Sequence, residues 1–284
     1  MIIIKKPKEL HDFLERKRHE QKRIGFTPTM GALHEGHLSL VNEAKKQNDV
    51  IVCSIFVNPT QFNDPEDFRK YPITIEKDIL MLEGAGCDVL FLPLVHDIYP
   101  SGTKDLKSYE LGFLETVLEG KFRPGHFQGV CQIMHRLLES VLPDNLYVGQ
   151  KDYQQCMVIK KLLELIGLED NVKMTVCPTL REKDGLAMSS RNARLLPDER
   201  VKATTLFTSL RYIKENLKPG NTKQIKNVAN KMLLQNGFRP DYIEIADANT
   251  LELVEEWNGK QKIVVLGAAF INKVRLIDNL GVNT

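Results

Sequence analysis

The chain has 284 residues, enough for two domains with their own cores, and its 42% hydrophobic and 27% charged residues are those of an ordinary globular protein. Lys and Arg number 39 against 37 Asp and Glu, a formal net charge of +2 that offers no bulk attraction for nucleic acid or an anionic membrane. The five cysteines, Cys53, Cys87, Cys131, Cys156 and Cys177, lie far apart without a C-x-x-C pair, which argues against a disulfide framework and reads as reduced, buried thiols in a cytoplasmic protein.

In chain order, "MIIIKKPKEL" is too short an apolar run for a secretory signal and reads as a first strand. No stretch approaches the roughly 18 consecutive apolar residues of a membrane helix. Residues 7–23 open on a proline and set Leu10, Phe13 and Leu14 on one helical face. Strands are predicted at "IGFTPT" from Ile24, "VIVCSIFVN" from Val50, "DVLFL" from Asp88, "NLYVG" from Asn145 and "VKMTVC" from Val172. The runs near 50 and 88 are apolar almost throughout, as strands covered on both faces are. The charged stretch 102–120 reads as a surface loop, and residues 152–167 as a helix with an apolar stripe through Val158, Leu162 and Ile166. Alternating strands and helices over 1–177 predict a Rossmann-like, doubly wound parallel sheet. Beyond a hinge near Pro178, helices following "LLPDER" and "PGNTKQ" precede three strand-like runs, "DYIEIAD", "KIVVLGAAF" and "KVRLID". That order predicts a smaller α+β domain over 178–284, acting as a lid.

"TPTMGALHEGHLSL" occupies the first strand-to-helix junction of this plan. In open parallel sheets ligands bind at the carboxyl ends of strands, and a helix N-terminus offers N–H groups and positive potential to phosphate. His34 and His37 could both donate to phosphate oxygens there, and Gly31 and Gly36 would let the backbone approach. Zinc is the weaker alternative, because H-E-x-x-H needs one more residue between the histidines and no further Cys or His cluster completes the set. A pair of histidines that merely starts a helix is the plainest alternative. There is no G-x-x-x-x-G-K-S/T loop, and the "GAG" at Gly84–Gly86 lacks the third glycine of a dinucleotide fingerprint. Downstream, "DGLAMSSRN" sets Ser189, Ser190 and Arg191 side by side, two hydroxyls and a planar cation suited to an oligophosphate. Alone it would read as a polar loop and helix cap.

H-x-G-H followed far downstream by M-S-S-R resembles the two-part signature of the nucleotidyltransferase superfamily that includes class I aminoacyl-tRNA synthetases. More narrowly, "PTMGALHEGH", "FVNPTQF", "RPGHFQGV", "VGQKDYQQ" and "DGLAMSSRN", in this order along nearly the whole chain, resemble the pantoate–β-alanine ligases. The resemblance implies ATP-dependent condensation of pantoate with β-alanine to pantothenate, with release of AMP and diphosphate through a pantoyl adenylate. By the same resemblance Met30, Gly31, Ala32, Leu33, His34, Glu35, Gly36 and His37 line the ATP site, together with Gly149, Gln150, Lys151, Asp152, Leu180, Met188, Ser189, Ser190 and Arg191. His34, His37, Lys151, Ser189, Ser190 and Arg191 are the implied catalytic set, Lys151 toward phosphate, Asp152 toward ribose and the Leu180 backbone toward adenine. Gln61 and Gln155 are similar to the family's pantoate-binding glutamines, and Gln61 also serves β-alanine. Pro28, Met30 and Phe62 are candidates for the wall around the pantoate methyls, and Asn58 and His126 for ordering the site.

Mg²⁺ is expected to arrive on ATP, held by phosphates and water, so no metal ligand is nominated and no prosthetic group is expected. Asp78 is named only as a partner near that ion. The partners are the three small substrates, without nucleic acid or membrane, and the resemblance implies a homodimer. A nucleotidyltransferase passing AMP or CMP to another acceptor, or an adenylate-binding regulator without turnover, are the alternatives; the paired glutamines disfavour the first and the intact H-x-G-H and M-S-S-R disfavour the second.

Overall fold

The computed structural model describes residues 1–282, which divide into two compact units, Met1–Gln150 with Gln154–Pro178, and Lys151–Tyr153 with the chain from Thr179 onward. In the first unit six parallel strands, β1 (Ile2–Ile4), β2 (Ile24–Thr29), β3 (Val50–Ile55), β4 (Val89–Phe91), β5 (Asn145–Gly149) and β6 (Lys173–Cys177), form one sheet in the order β1-β4-β3-β2-β5-β6. All their pairings are parallel, and β2 is flanked by β3 on one side and β5 on the other, with Gly25 opposite Asn145. The order reverses between β2 and β5, so the carboxyl ends of these two strands form the crevice in which a doubly wound sheet holds its ligand.

Period-two alternation explains why the central strands are apolar throughout. Val50 and Val52 of β3, Val89 and Phe91 of β4, and Leu146 and Val148 of β5 belong to one core, whereas Ile51, Cys53, Leu90 and Tyr147 belong to a second. The helix Pro7–His19 contributes Leu10 and Leu14 to the first core, and Glu35–Ala44 contributes Leu40 and Val41 to the second. Phe26 of β2 is fully enclosed, worth about 1.5–3 kcal/mol of burial for a side chain of this kind.

The first helix ends at His19, short of residue 23, because Gln21 turns into the left-handed region at φ 57° before β2. The "GAG" is a helix ending: Ile75–Ala85 stops at Gly86, whose φ of 75° is the left-handed cap glycine supplies. The stretch 102–120 is not only a surface loop. Tyr109, Leu111 and Leu118 are buried, and the first two join the core beside the helix His126–Val141.

In the second unit the helix after "LLPDER" is broken at Ala203 into Pro197–Lys202 and Thr204–Asn216, followed by Lys223–Gln235. Of the five strands among its described residues, β7 (Gly220–Asn221) pairs with β9 (Glu256–Trp257), and β8 (Phe238–Asp247), β10 (Ile263–Ile271) and β11 (Val274–Val282) form an antiparallel sheet in the order β11-β10-β8. Leu206, Leu210, Ala229 and Leu233 from the helices close over Ile243, Ile245, Val265 and Leu276 of the sheet. No helix among the described residues is long and apolar enough to cross a membrane.

Candidate active site

Strand β2 ends at Thr29, and the chain turns through Gly31 at φ 80° and Ala32 at φ 49° before the helix Glu35–Ala44 begins. A left-handed alanine is strained, and the turn is held by one buried carboxyl group. Asp78 accepts from the Ala32 N–H at 2.9 Å through Oδ2, and from the Leu33 N–H at 2.8 Å and the Thr74 hydroxyl at 2.9 Å through Oδ1. A Cβ on Gly31 would meet this Oδ2 at 3.1 Å and Ile55 Cγ2 at 2.9 Å, so here glycine answers to the approach of Asp78 as well as to its φ. Both oxygens of Asp78 thus hold the turn, a structural role that the sequence reading, which named it only near a magnesium ion, did not include.

The two histidines cap the helix reciprocally. Nδ1 of His34 accepts from the Gly36 N–H at 3.2 Å, Nδ1 of His37 accepts from the His34 N–H at 3.3 Å, and the rings lie with centroids 4.0 Å apart. An Nδ1 that accepts leaves the ring proton on Nε2, so both imidazoles present an Nε2–H donor edge at a positive helix end. The plain reading, a helix start, and the phosphate reading are therefore compatible, since capping with Nδ1 fixes the tautomer that donates through Nε2. Among the described residues no group of three or more His, Cys, Asp and Glu side chains is placed to hold a metal ion.

Beyond β3, Asn58 caps the short helical turn Pro59–Gln61. Its buried amide donates to Gln61 Oε1 at 3.2 Å and to the Gly129 carbonyl at 3.0 Å, and its Oδ1 accepts from the Tyr99 hydroxyl at 2.8 Å. Gln61 in turn directs Nε2 to Met30 Sδ at 3.1 Å, which brings the glutamine to the first residue of the histidine turn. His126 Nδ1–H donates to the Gln61 carbonyl at 2.8 Å and its Nε2 faces Arg123 Nη1 at 3.0 Å. Gly129 lies in the "RPGHFQGV" motif, yet the sequence pattern gives it no role of its own. A Cβ there would lie 2.2 Å from the Thr60 carbonyl oxygen and 2.6 Å from Gln61 Cα, so glycine lets the helix His126–Val141 press directly on the backbone that carries Gln61. Phe62 packs edge-on against Phe68 and Tyr71.

At the end of β5, Gly149 and Gln150 are half-buried, and a Cβ on Gly149 would meet nothing within 4 Å. The two adjacent glutamines of "DYQQ" differ sharply. Gln154 is enclosed and fully committed, accepting from the Glu119 N–H and donating to the carbonyls of Leu114 and Val117. The side chain of half-buried Gln155 makes no hydrogen bond among the described residues.

The remaining nominated residues lie in the second unit. Lys151 pairs with Asp152 at 3.2 Å, and the Asp152 side chain is about half exposed. Ser189 caps the turn Ser190–Arg194 by accepting from the Arg191 N–H at 3.3 Å. A small hairpin leads into it: Arg181 bridges to Ala187, and the Met188 N–H donates to the exposed Leu180's carbonyl at 3.0 Å. The sequence offered no sign of Arg181, within this hairpin, or of Asp278 and Asn279 of β11, which hold it and the lysine turn. Arg181 clamps Asp278 with two bonds of 2.7 and 2.9 Å, and burial nevertheless pushes the Asp278 carboxyl above its ordinary range, the guanidinium offsetting only part.

A two-histidine helix cap thus stands at the switch point of a doubly wound sheet, the place where such sheets hold a ligand and where a helix N-terminus suits a phosphate. The family model of pantoate-beta-alanine ligases matches residues 2–281, and the chain belongs to that family. It is similar to the pantothenate synthetases of Cytophaga hutchinsonii, 43% identical over 284 residues, and of Phocaeicola vulgatus, 44% identical over 284 residues, each alignment covering 99% of both chains. Among solved structures, pantothenate synthetase from Thermus thermophilus superposes with a TM-score of 0.89 at 39% identity, covering 99% of each chain. Pantoate-beta-alanine ligase from Francisella tularensis, complexed with beta-gamma ATP and beta-alanine, gives a TM-score of 0.81 at 40% identity over 99% of this chain and 97% of the other.

Proposed function

We propose that this chain joins pantoate to β-alanine at the expense of ATP, in two steps at the carboxyl edge of the parallel sheet. The observation that carries the reading is the meeting of a two-histidine helix cap with the Gln61 amide, which rests on Met30 of the same turn. The first group suits a phosphate and the second a substrate bearing hydroxyls and a carboxylate.

In the first step a pantoate carboxylate oxygen attacks the α-phosphorus of ATP, the bond to the bridging oxygen breaks, and pyrophosphate leaves. Such a step needs alignment and charge stabilisation more than proton transfer. The Nε2–H edges of His34 and His37 and the helix N-terminus supply donors for the phosphates. Lys151, Ser189, Ser190 and Arg191 are assigned to the same phosphates on the strength of their motifs, and Gly149, Gln150, Asp152 and Leu180 to the nucleoside. Gln61 and Gln155 hold pantoate, and the uncommitted amide of Gln155 beside the committed Gln154 supports that choice. In the second step the β-alanine amine attacks the acyl carbon of the adenylate, with Gln61 near it, and AMP leaves with the bonding pair.

Mg²⁺ enters with the nucleotide, neutralising phosphate charge through phosphate and water ligands. Asp78 holds the histidine turn, and no residue is nominated as a ligand of the ion. A homodimer rests on the family resemblance, and a cytoplasmic setting is supported by five buried free thiols, which persist in reducing compartments. The test is AMP formation with ATP, pantoate and β-alanine, omitting each in turn. AMP and pantothenate in equal amounts only when all three are present support the ligase; AMP transfer to an acceptor other than pantoate, or binding of ATP without turnover, would refute it.

A further inference from the structure

Strand β11 carries two adjacent buried polar residues, Asp278 and Asn279, which are 4% and 2% exposed. Each holds a different segment of the second unit. The Asn279 side-chain amide donates to the Lys151 carbonyl at 2.9 Å. Asp278 receives both arms of the Arg181 guanidinium, and the same guanidinium donates to the Gly185 carbonyl at 3.1 Å and the Asn279 carbonyl at 3.3 Å. The guanidinium also lies over the Phe207 ring at 4.4 Å from its centroid, which fixes its plane. Arg181 and Gly185 belong to the hairpin that delivers Met188, Ser189, Ser190 and Arg191, so one strand holds both the lysine turn and the serine–arginine loop.

We infer that Arg181, Asp278 and Asn279 form a positioning unit that sets Lys151 and the Met188–Arg191 loop in register with each other, and thereby the groups that receive the leaving pyrophosphate. This rests on the assignment of those groups to the phosphates made above. A buried ion pair is a poor source of stability, since apolar residues of similar volume often serve as well, whereas it imposes direction. The planar fork and its carboxylate fix one orientation, which lysine in place of arginine would not. Small displacements of aligned groups are costly in rate, about 10²-fold for roughly 1 Å.

The experiment compares Arg181→Lys and Asn279→Ala with the wild-type chain in two separate half-reactions, with thermal unfolding as the measure of folding. The first is pyrophosphate release from ATP and pantoate in a single turnover. The second is discharge of synthetic pantoyl adenylate by β-alanine, which involves no pyrophosphate. A positioning unit predicts that Arg181→Lys slows pyrophosphate release by about 10²-fold and leaves adenylate discharge within about threefold of wild type. Asn279→Ala, which removes one hydrogen bond and leaves the ion pair, slows the first half-reaction by about 10-fold and likewise spares the second. Equal loss in both half-reactions, or no loss in the first by a folded variant, overturns the inference. A wild-type chain that releases no pyrophosphate with pantoate overturns the ligase reading beneath it, and does so before any variant is compared.

Discussion

Replacing Asp78 with asparagine tests whether the histidine turn is held by a distant carboxyl group. Asparagine keeps one acceptor oxygen and presents an NH2 group in place of the other, so either the Ala32 N–H or the Leu33 N–H, now bonded at 2.9 and 2.8 Å, faces a donor. A buried N–H left without an acceptor costs about 1–3 kcal/mol, a factor of roughly 5 to 150 in an equilibrium constant. The turn is the part free to relax, because Ala32 at φ 49° is strained and the bond from its N–H to Asp78 opposes that strain. The expected result is a drop of about 10- to 100-fold in the efficiency of adenylate formation, kcat/KM for ATP, alongside a lowered unfolding temperature. Single-turnover pyrophosphate release over a range of ATP concentrations, with thermal melts on the same samples, makes the measurement. A variant that melts earlier yet forms adenylate with wild-type efficiency would refute the reasoning. Recovery of the variant by excess Mg²⁺ would also refute it, since it would return Asp78 to the neighbourhood of the metal.

His37→Ala should slow adenylate formation by about 10²–10³-fold with a smaller change in ATP binding, the usual loss on removing one donor to a developing charge, and a wild-type single-turnover rate would remove His37 from the chemistry. Gln61→Ala and Gln155→Ala should raise KM for pantoate more than for ATP, because hydroxyls and a carboxylate are left without partners; equal losses for both substrates would point away from the assignment. Burial pushes the thiols of Cys87 and Cys177 up to about 11 and that of Cys131 up to about 12, and Cys53 is raised by the same cause. A raised thiol is protonated at neutral pH and a poor nucleophile, and all five cysteines, Cys156 included, are buried from the reagent, so iodoacetamide near pH 8 should label no cysteine of the folded protein and all five in denaturant, read by mass spectrometry. Rapid labelling of any one of them in the native state would contradict their burial.

The strands of the parallel sheet were legible because each is a short apolar run whose alternate residues feed two cores, as Val50 and Ile51 do. The histidine motif was legible as a strand-to-helix junction because β2 ends and a helix begins within one short glycine-bearing segment. The burial of Tyr109 and Leu111 was not, since the surrounding charged residues imitate a loop and only the helix His126–Val141 supplies their cover. Nor were the contacts of Gly129, Arg181, Asp278 and Asn279 visible, or the hold of Asp78 on the histidine turn. Each acts on a segment distant in the chain, Asp78 on Ala32 and Asn279 on Lys151, and no local pattern records such an approach. The same limit explains Gln154 and Gln155: adjacent identical residues acquire opposite fates from the direction in which the helix presents them.

The claim at the centre of this account is that pantoate attacks the α-phosphorus of ATP. Pantoate labelled with oxygen-18 in its carboxylate, turned over with ATP and β-alanine, tests it directly by mass spectrometry of the nucleotide. Attack at the α-phosphorus leaves one labelled oxygen in AMP and none in pyrophosphate. Label in inorganic phosphate with ADP as the nucleotide product would contradict it, and would withdraw the roles given to His34 and His37.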